Sequence, residues 1–309
     1  MELRQLRYLL AVAEERHMGR AAAKVHITQP GLSQQLRKLE DELGVSLVER
    51  HTKGARLSVA GAALLPFARS VLRQIQDARV ALSDLNQLVQ GTVTIGSLQV
   101  ISVGLLPKVV ASLVRAHPGV QIHAQELAAW EIEVGVQDAR LDLGVAFLPV
   151  SQNGERFDTE HLFDEELVLV IGQDHPLAQR DELSLQELTD VPLALLPDRF
   201  QIRRILDQAI RTEGVSPPVL VEMDSVHSLL GVARETNLAT VLPAMAVPTH
   251  GTLRRLRLEG AIAPCSVGLI WRRGGFRSTA SLALATELRA FAIEHRQDAC
   301  REAAAATFN

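Results

Sequence analysis

Gln29, Ser33, Gln34 and Arg37 form a polar set at spacings of four, one and three. A glutamine amide matches both hydrogen-bonding groups on an adenine edge, a guanidinium does the same for guanine, and serine serves base or phosphate. Such side chains read bases only when a rigid rod carries them into a groove. The local sequence supplies one. Thr28 or Gln29 sits where a cap belongs, Thr28 being the better capping residue, and Pro30 suits a first helical position. Leu32, Leu36, Leu39 and Leu43 follow spacings of four, three and four, which predicts one buried stripe, and Gly44 stands where the helix should close. Before it, the alanine-rich run from Gly19 to about His26 reads as a short helix and Ile27-Thr28-Gln29 as a turn. Two helices joined this way make a helix-turn-helix, whose second helix meets the major groove. A helix pair is also a common packing unit, and this stretch alone leaves both readings open.

Further elements must position that pair. Residues 3–15 predict a helix whose face of Leu6, Leu9, Leu10 and Ala13 packs beneath it. Residues 45–50 and 55–58 alternate around Thr52-Lys53-Gly54, the pattern of a hairpin with a basic tip. As a wing, it would place Arg50, Lys53 and Arg56 on backbone phosphates, which position without specifying sequence; as a plain loop, the same charges are simply solvated. Residues 59–89 then carry Leu64, Ala68, Val71, Ile75, Ala78, Leu82, Leu85 and Val89 at alternating spacings of four and three. A helix there would run roughly 45 Å at about 1.5 Å per residue. A stripe so narrow and long predicts a two-chain coiled coil, with Pro66 bending its first turns.

Leu6-x-x-Leu9, Ala21-Ala22, Thr28-Gln29-Pro30, Leu32-Ser33, Leu39-Glu40, Leu43-Gly44, Glu49-Arg50 and Leu57-Ser58-x-Ala60-Gly61 together resemble the LysR-type transcriptional regulators, from about residue 3 to residue 61. Val48 departs from the family's usual Phe, and His17-Met18-Gly19 from its Gly-Ser-Phe/Leu, both as core or turn substitutions. The resemblance implies an N-terminal all-α winged helix-turn-helix, a long linker helix that dimerises, and a two-lobed α/β effector-binding domain like the periplasmic binding proteins. It implies DNA contact through Thr28, Gln29, Pro30, Ser33, Gln34, Arg37, Arg50, Lys53 and Arg56. The partners expected are double-stranded promoter DNA, a small-molecule effector and further copies of the chain, as a homodimer through the linker and a homotetramer.

Charge distribution agrees with a DNA-binding head. The chain carries −4 overall, but residues 1–90 hold 13 Lys/Arg against 9 Asp/Glu, so a basic head precedes an acidic body. A surplus of four charges is modest, and tight binding then needs two heads on one duplex. Gly91 breaks the helix, and strands alternate with helices to the closing helix at 277–295, which predicts parallel α/β sheets. The expected domains are 1–58 for DNA binding, 59–89 for the linker and 90–300 for the effector domain. Lobe I would span about 92–161 and 267–297, and lobe II about 162–266. Residues 303–309 are expected to fray. Residues 1–15 carry charge throughout, and no apolar run reaches about 18 residues, so neither an export signal nor a membrane span is expected and a cytoplasmic location is. Cys265 and Cys300 lack metal-ligand spacing and read as ordinary thiols of a reducing compartment; no cofactor is expected.

Open α/β sheets bind ligands beyond the carboxyl ends of their strands, where helix N-termini favour anions. That rule selects Ser97, Leu98, Gln99, Ser102, Trp130, Phe147, Arg199, Phe200, Ser225 and His227 as effector-binding candidates. Ser97, Gln99, Ser102 and Ser225 offer hydrogen bonds to a carboxylate or similar anion, Arg199 a charge, and the aromatics an apolar wall. Ser102 and Ser225 equally suit helix caps, Phe147 and Trp130 the core, and Arg199 a solvated surface. Glu235-Thr236-Asn237 replaces the family's glycine-rich turn, with Asn237 able to take a left-handed conformation. The stretches 167–176 and 238–243 resemble the family's cyanate-responsive branch.

The function expected is a DNA-binding regulator answering to a small anionic metabolite. An enzyme is the rival reading, but the sequence holds no G-x-G-x-x-G, G-x-x-x-x-G-K-[ST], G-x-S-x-G or H-E-x-x-H. A transport module would suit the body and leave the head without a role.

Overall fold

Three helices build the head: α1 (Leu3–Glu15), α2 (Met18–Lys24) and α3 (Gln29–Leu43). Each boundary has a local cause. Arg16 turns α1 off at φ 50°, and His17 caps α2, its Nδ1 accepting from Gly19 N at 3.1 Å and Arg20 N at 3.4 Å. Thr28 caps α3, its Oγ1 accepting from Gly31 N at 3.2 Å, and Gly44 closes it at φ 71°. Helix α3 therefore begins one residue earlier than expected, at Gln29, with Pro30 in its first turn. Leu32, Leu36 and Leu39 are fully buried with Leu9, Val12 and Ala21, whereas Leu43, expected in the same stripe, is 40% exposed at the helix end. Val48, where the family carries a larger aromatic, is buried in this core.

This computed structural model describes residues 1–51, 54–83, 89–150, 154–248 and 251–307, less the side chains at 50–51, 73, 76–77, 79–83, 154 and 298–307. Two compact units emerge, Met1–Leu88 with Gln137–Arg140 and Phe276–Ser278, and the remainder of the chain.

In the first unit, β1 (Val48–His51) and β2 (Gly54–Leu57) pair antiparallel, Glu49 opposite Arg56, as the wing hairpin. Helix α4 (Val59–Ser83) follows. Its early seam residue Leu64 packs on the head core and Ala68 is buried, while Ala78 is exposed. Leu85 and the tip residues Thr52 and Lys53 lie outside the described residues, as does the Leu82 side chain.

The second unit has two lobes. Lobe I is a five-stranded sheet of β3 (Gly91–Ser97), β4 (Val120–Glu126), β5 (Leu143–Phe147), β6 (Phe157–Glu165) and β13 (Cys265–Arg272), in the order β4-β3-β5-β13-β6. Helices α5 (Gln99–Gly104), α6 (Leu106–Ala116), α7 (Ala129–Gln137) and the final α10 (Thr279–Thr307) accompany it. Lobe II holds β7 (Leu167–Gly172), β8 (Glu182–Ser184), β11 (Thr240–Pro243) and β12 (Leu253–Glu259) in the order β11-β7-β12-β8. Beside them β9 (Leu193–Leu195) pairs with β10 (Val219–Glu222), with helices α8 (Gln201–Thr212) and α9 (Val226–Glu235).

The two-lobed α/β body is as expected, but its sheets are mixed rather than parallel. Strand β13 runs antiparallel to both β5 and β6, and β7 antiparallel to both β11 and β12. Strand β6 keeps the chain in lobe I through Glu165, beyond the expected crossing near Leu162. Helix α10 continues to Thr307 where fraying was expected. Asn237 is not among the residues with positive φ; the Thr236 hydroxyl makes the turn instead, donating to Val232 O and accepting from Leu238 N.

Candidate functional site: a helical DNA interface and an interlobe cavity

Pro30, Ser33, Gln34 and Arg37 occupy one face of α3, at spacings of three, one and three, opposite the buried leucines. Thr28, Gln29, Pro30, Gln34 and Arg37 are exposed and Ser33 half-buried. Among the described residues Arg37 has no ion-pair partner, so its guanidinium is available to an external acceptor. The wing is held to this helix through Glu40. Its Oε1 accepts from Leu47 N at 2.7 Å, Val48 N at 3.0 Å and the Ser46 hydroxyl at 3.2 Å. One carboxylate thus fixes where β1 begins relative to the candidate base-reading face. Arg56 is exposed on β2; the Arg50 side chain and all of Lys53 lie outside the described part.

In the body the two lobes touch at named points. Gln99 begins α5 in lobe I, and its Oε1 accepts from Val226 N, the first amide of α9 in lobe II, at 2.9 Å. The side-chain amide thus occupies a helix N-terminus that the sequence offers to an anion. Ser97 and Ser102, both buried, bond to one another through their hydroxyls at 2.5 Å. Ser225 caps α9, its Oγ accepting from Ser228 N. Arg199 pairs with exposed Asp224 at 3.1 Å and lies over the Phe200 ring. His227 is exposed, Leu98 half-buried and Trp130 66% exposed.

Beside these contacts lies a cavity of about 560 Å³ between the lobes. Ala129 and Glu133 of α7, Ala146 and Phe147 of β5, Pro149 and Ile270 form its lobe I wall. Helix α8 forms the facing wall with Gln201, Arg204, Ile205, Gln208 and Ala209, joined by Ala261 and Ala263. Of the sequence-selected effector candidates, Phe147 is the one that lines this cavity among the described residues. Gln99 lies on the lobe-to-lobe contact, Ser97 and Ser102 are buried against each other within lobe I, Ser225 caps α9, Leu98 and Phe200 are half-buried, and Arg199, Trp130 and His227 lie at the surface. The strand-end rule leads to the cleft but misses α8. Its signal was in the sequence: Ile202, Leu206, Ala209 and Ile210 form the buried stripe, and Gln201, Arg204, Ile205 and Gln208 the opposite, mostly polar one. A second cavity of about 430 Å³ lies on lobe I against Leu148, Thr159, His161 and Ser266. Beside it Asp164 accepts from the Ser266 hydroxyl and from His161 Nε2, contacts that hold its carboxyl below the usual range. Among the described residues no group of three or more His, Cys, Asp or Glu side chains is placed to hold a metal, and no helix is long and apolar enough to cross a membrane.

A winged helix-turn-helix followed by a two-lobed α/β body with an interlobe cavity defines a class, the ligand-responsive DNA-binding regulators. Residues 3–62 match the profile described as bacterial regulatory helix-turn-helix protein, lysR family, and residues 86–292 match the LysR substrate binding domain. The chain belongs to the LysR family of transcriptional regulators. The hydrogen peroxide-inducible genes activator of Dickeya chrysanthemi is 33% identical over 284 residues, covering 89% of this chain and 90% of that protein. The DNA-binding transcriptional dual regulator OxyR of Escherichia coli (strain K12) is 32% identical over 284 residues, with the same coverage. A full-length OxyR variant from Pseudomonas aeruginosa matches in structure with a TM-score of 0.74 and 28% identity, over 94% of this chain and 95% of that one. Full-length CbnR in complex with its target DNA shares the fold, with a TM-score of 0.69 at 21% identity, over 94% of this chain and 99% of that one.

Proposed function

We propose that the chain reads promoter DNA through α3 as a homodimer joined along α4, that two dimers assemble on one duplex, and that a small effector held between the lobes sets the placement of the heads. The observation that carries this reading is the two-faced α3, three leucines fully buried on one side and an exposed Gln29, Gln34 and Arg37 on the other. Pro30 and Ser33 bring the start of that helix to the base edges, Thr28 holds its first turn, and Arg50, Lys53 and Arg56 of the wing region hold phosphates. No step of this function is catalytic, and the chain works in the cytoplasm beside its DNA. A structural neighbour, CbnR, was solved with target DNA.

Arg37→Ala tests it. Loss of one bidentate base contact costs about 1–3 kcal/mol of discrimination. Full-length protein titrated with its own upstream DNA and with a scrambled duplex should lose most of its preference, while its binding to the scrambled duplex changes little. A variant that keeps the full preference overturns the assignment of α3.

Several relatives are named for a hydrogen peroxide response, and Cys265 of this chain is not placed to give one. Cys265 is buried, and burial followed by the Glu165 charge pushes its thiol up to about 12. A thiol so placed yields almost no reactive thiolate near neutral pH. Cys300 lies outside the residues whose side chains are described. Peroxide treatment should therefore leave promoter binding of the wild type and of Cys265→Ser alike; a peroxide response present in the wild type and lost in Cys265→Ser would contradict this.

A further inference from the structure

We infer that the second cavity, on lobe I, binds a protonated primary amine carried on a small apolar body, with Asp164, His161 and Ser266 recognising the ammonium group. It is distinct from the interlobe cavity, with which it shares Pro149, and the inference does not rest on the regulator reading. The site begins with an irregularity in β6. His161 and Asp164 are three residues apart, so a regular strand would point them to opposite faces. The pairing with β13 shifts between them: Val267 lies opposite Phe163 but Gly268 opposite His161, which leaves Leu162 without a partner on β13. That extra residue is a bulge, a device that re-aims a side chain. It brings His161 and Asp164 to the same side, beside Ser266, the residue opposite Asp164 on β13.

One carboxylate then sets the chemistry of the wall. Asp164 Oδ1 accepts from His161 Nε2 at 2.9 Å and from the Ser266 hydroxyl at 2.5 Å. The first bond places the proton of a neutral imidazole on Nε2 and leaves Nδ1 as an acceptor. The second uses the serine proton and leaves the lone pairs of its oxygen. His161 and Ser266 both line the cavity of about 430 Å³, so its polar wall offers acceptors, and the Thr159 hydroxyl adds a group that can turn either way. The other carboxylate oxygen, Oδ2, has no partner among the described residues.

Charge points the same way. The neighbouring acids of β6 face arginines, Asp158 with Arg273 at 3.5 Å and Glu160 with Arg289 at 2.7 Å. Asp164 pairs with no arginine or lysine among the described residues, and the bonds from Ser266 and His161 keep it ionised. A negative charge flanked by acceptors suits a ligand that brings both a positive charge and N–H donors. Leu148, Pro149 and Val150 give the cavity its apolar surface. Gly268 leaves Leu148 the room to lie there, since a Cβ on Gly268 would collide with Leu148 Cδ1. The volume falls within the few hundred to about a thousand Å³ usual for small-molecule sites.

Calorimetric titration of the full-length protein at about pH 8, where a free imidazole is neutral and an alkylammonium charged, tests this. The probes are benzylamine, benzyl alcohol, which lacks the charge, and benzyltrimethylammonium, which lacks the N–H donors. Benzylamine should bind at least about tenfold more tightly than either. Asp164→Asn should weaken benzylamine at least about tenfold and bring it level with the alcohol. Ser266→Ala, which removes one acceptor, should weaken it about threefold. Asp174→Asn, which removes an exposed carboxylate of lobe II, should change nothing. No binding of benzylamine by the wild type, equal binding of the three probes, or an affinity that survives Asp164→Asn each overturns the inference. So does a loss in Asp174→Asn as large as that in Asp164→Asn, which would make the attraction one of net charge alone. The comparison of probes on the wild type needs no variant and decides the matter even where a variant fails to fold. Promoter preference measured on the same samples bears on the regulator reading alone.

Discussion

Glu165→Ala is expected to destabilise the effector-binding body by about 3 kcal/mol, the upper end of the loss when a buried hydrogen-bonding group is left unsatisfied. Glu165 is 2% exposed and is the last residue of β6, where the chain leaves lobe I. Its two oxygens do different work. Oε1 accepts from Met245 N at 2.5 Å, and Oε2 pairs with His295 Nε2 at 2.6 Å. Met245 belongs to a short turn of lobe II that lies against α5, so close that a Cβ on Gly104 would come 2.2 Å from Met245 O. His295 belongs to α10 and packs between Phe163 and Phe291, with ring centroids at 4.7 and 5.6 Å. One carboxylate thus joins the end of β6, a lobe II turn and the final helix. Alanine leaves the Met245 N–H and a half-buried imidazole without their acceptor. Glu165→Gln keeps an acceptor and should lose distinctly less. Equilibrium unfolding of both variants checks the order, and an alanine variant within about 0.5 kcal/mol of the wild type, the scatter of ordinary surface changes, would refute the role given to Glu165.

The head was legible because its signals are local. Thr28, Pro30 and Gly44 act within one turn of themselves, and the leucine spacing of α3 requires no knowledge of what it packs against. The body was legible only as a class. That β13 would return to pair antiparallel between β5 and β6 depends on residues more than a hundred positions apart, and its own sequence carries no mark of that direction. Strand β6 was hidden for another reason: as an edge strand with Asp158, Glu160 and Asp164 on it, it has the composition of a linker. The effector candidates show the same division. Choosing strand ends located the cleft but favoured Ser97, Ser102 and Gln99, which the fold uses to satisfy one another and to join the lobes. The cavity wall came from α8, where a polar stripe opposite a buried one was visible but had no assigned direction until lobe I faced it.

Gly61→Ala is the change expected to do most damage to the head. Gly61 lies in the first turn of α4, where Ser58 caps the helix by accepting from Gly61 N at 3.0 Å. A methyl group on Gly61 would sit 2.1 Å from Leu47 O, well inside contact distance. Relief would have to come from Leu47, and Leu47 is fixed on both sides. Its N–H donates to Glu40 Oε1 at 2.7 Å, its carbonyl accepts from Ser58 N at 2.9 Å, and its side chain is 1% exposed. The clash is with backbone, so no rotamer change removes it. Either α4 lifts from the wing or the wing lifts from α3, and each move breaks a bond that positions the other. The cost should approach about 3 kcal/mol, the top of the usual range for overpacking. Because α4 also carries the expected dimer seam, promoter binding should fall further than Arg37→Ala makes it fall, and for specific and scrambled DNA alike. Unfolding and DNA titration of the same preparation test both parts. A Gly61→Ala protein with wild-type stability would mean that the wing and α4 can separate freely, and the account of the head as one rigid reader would have to be given up.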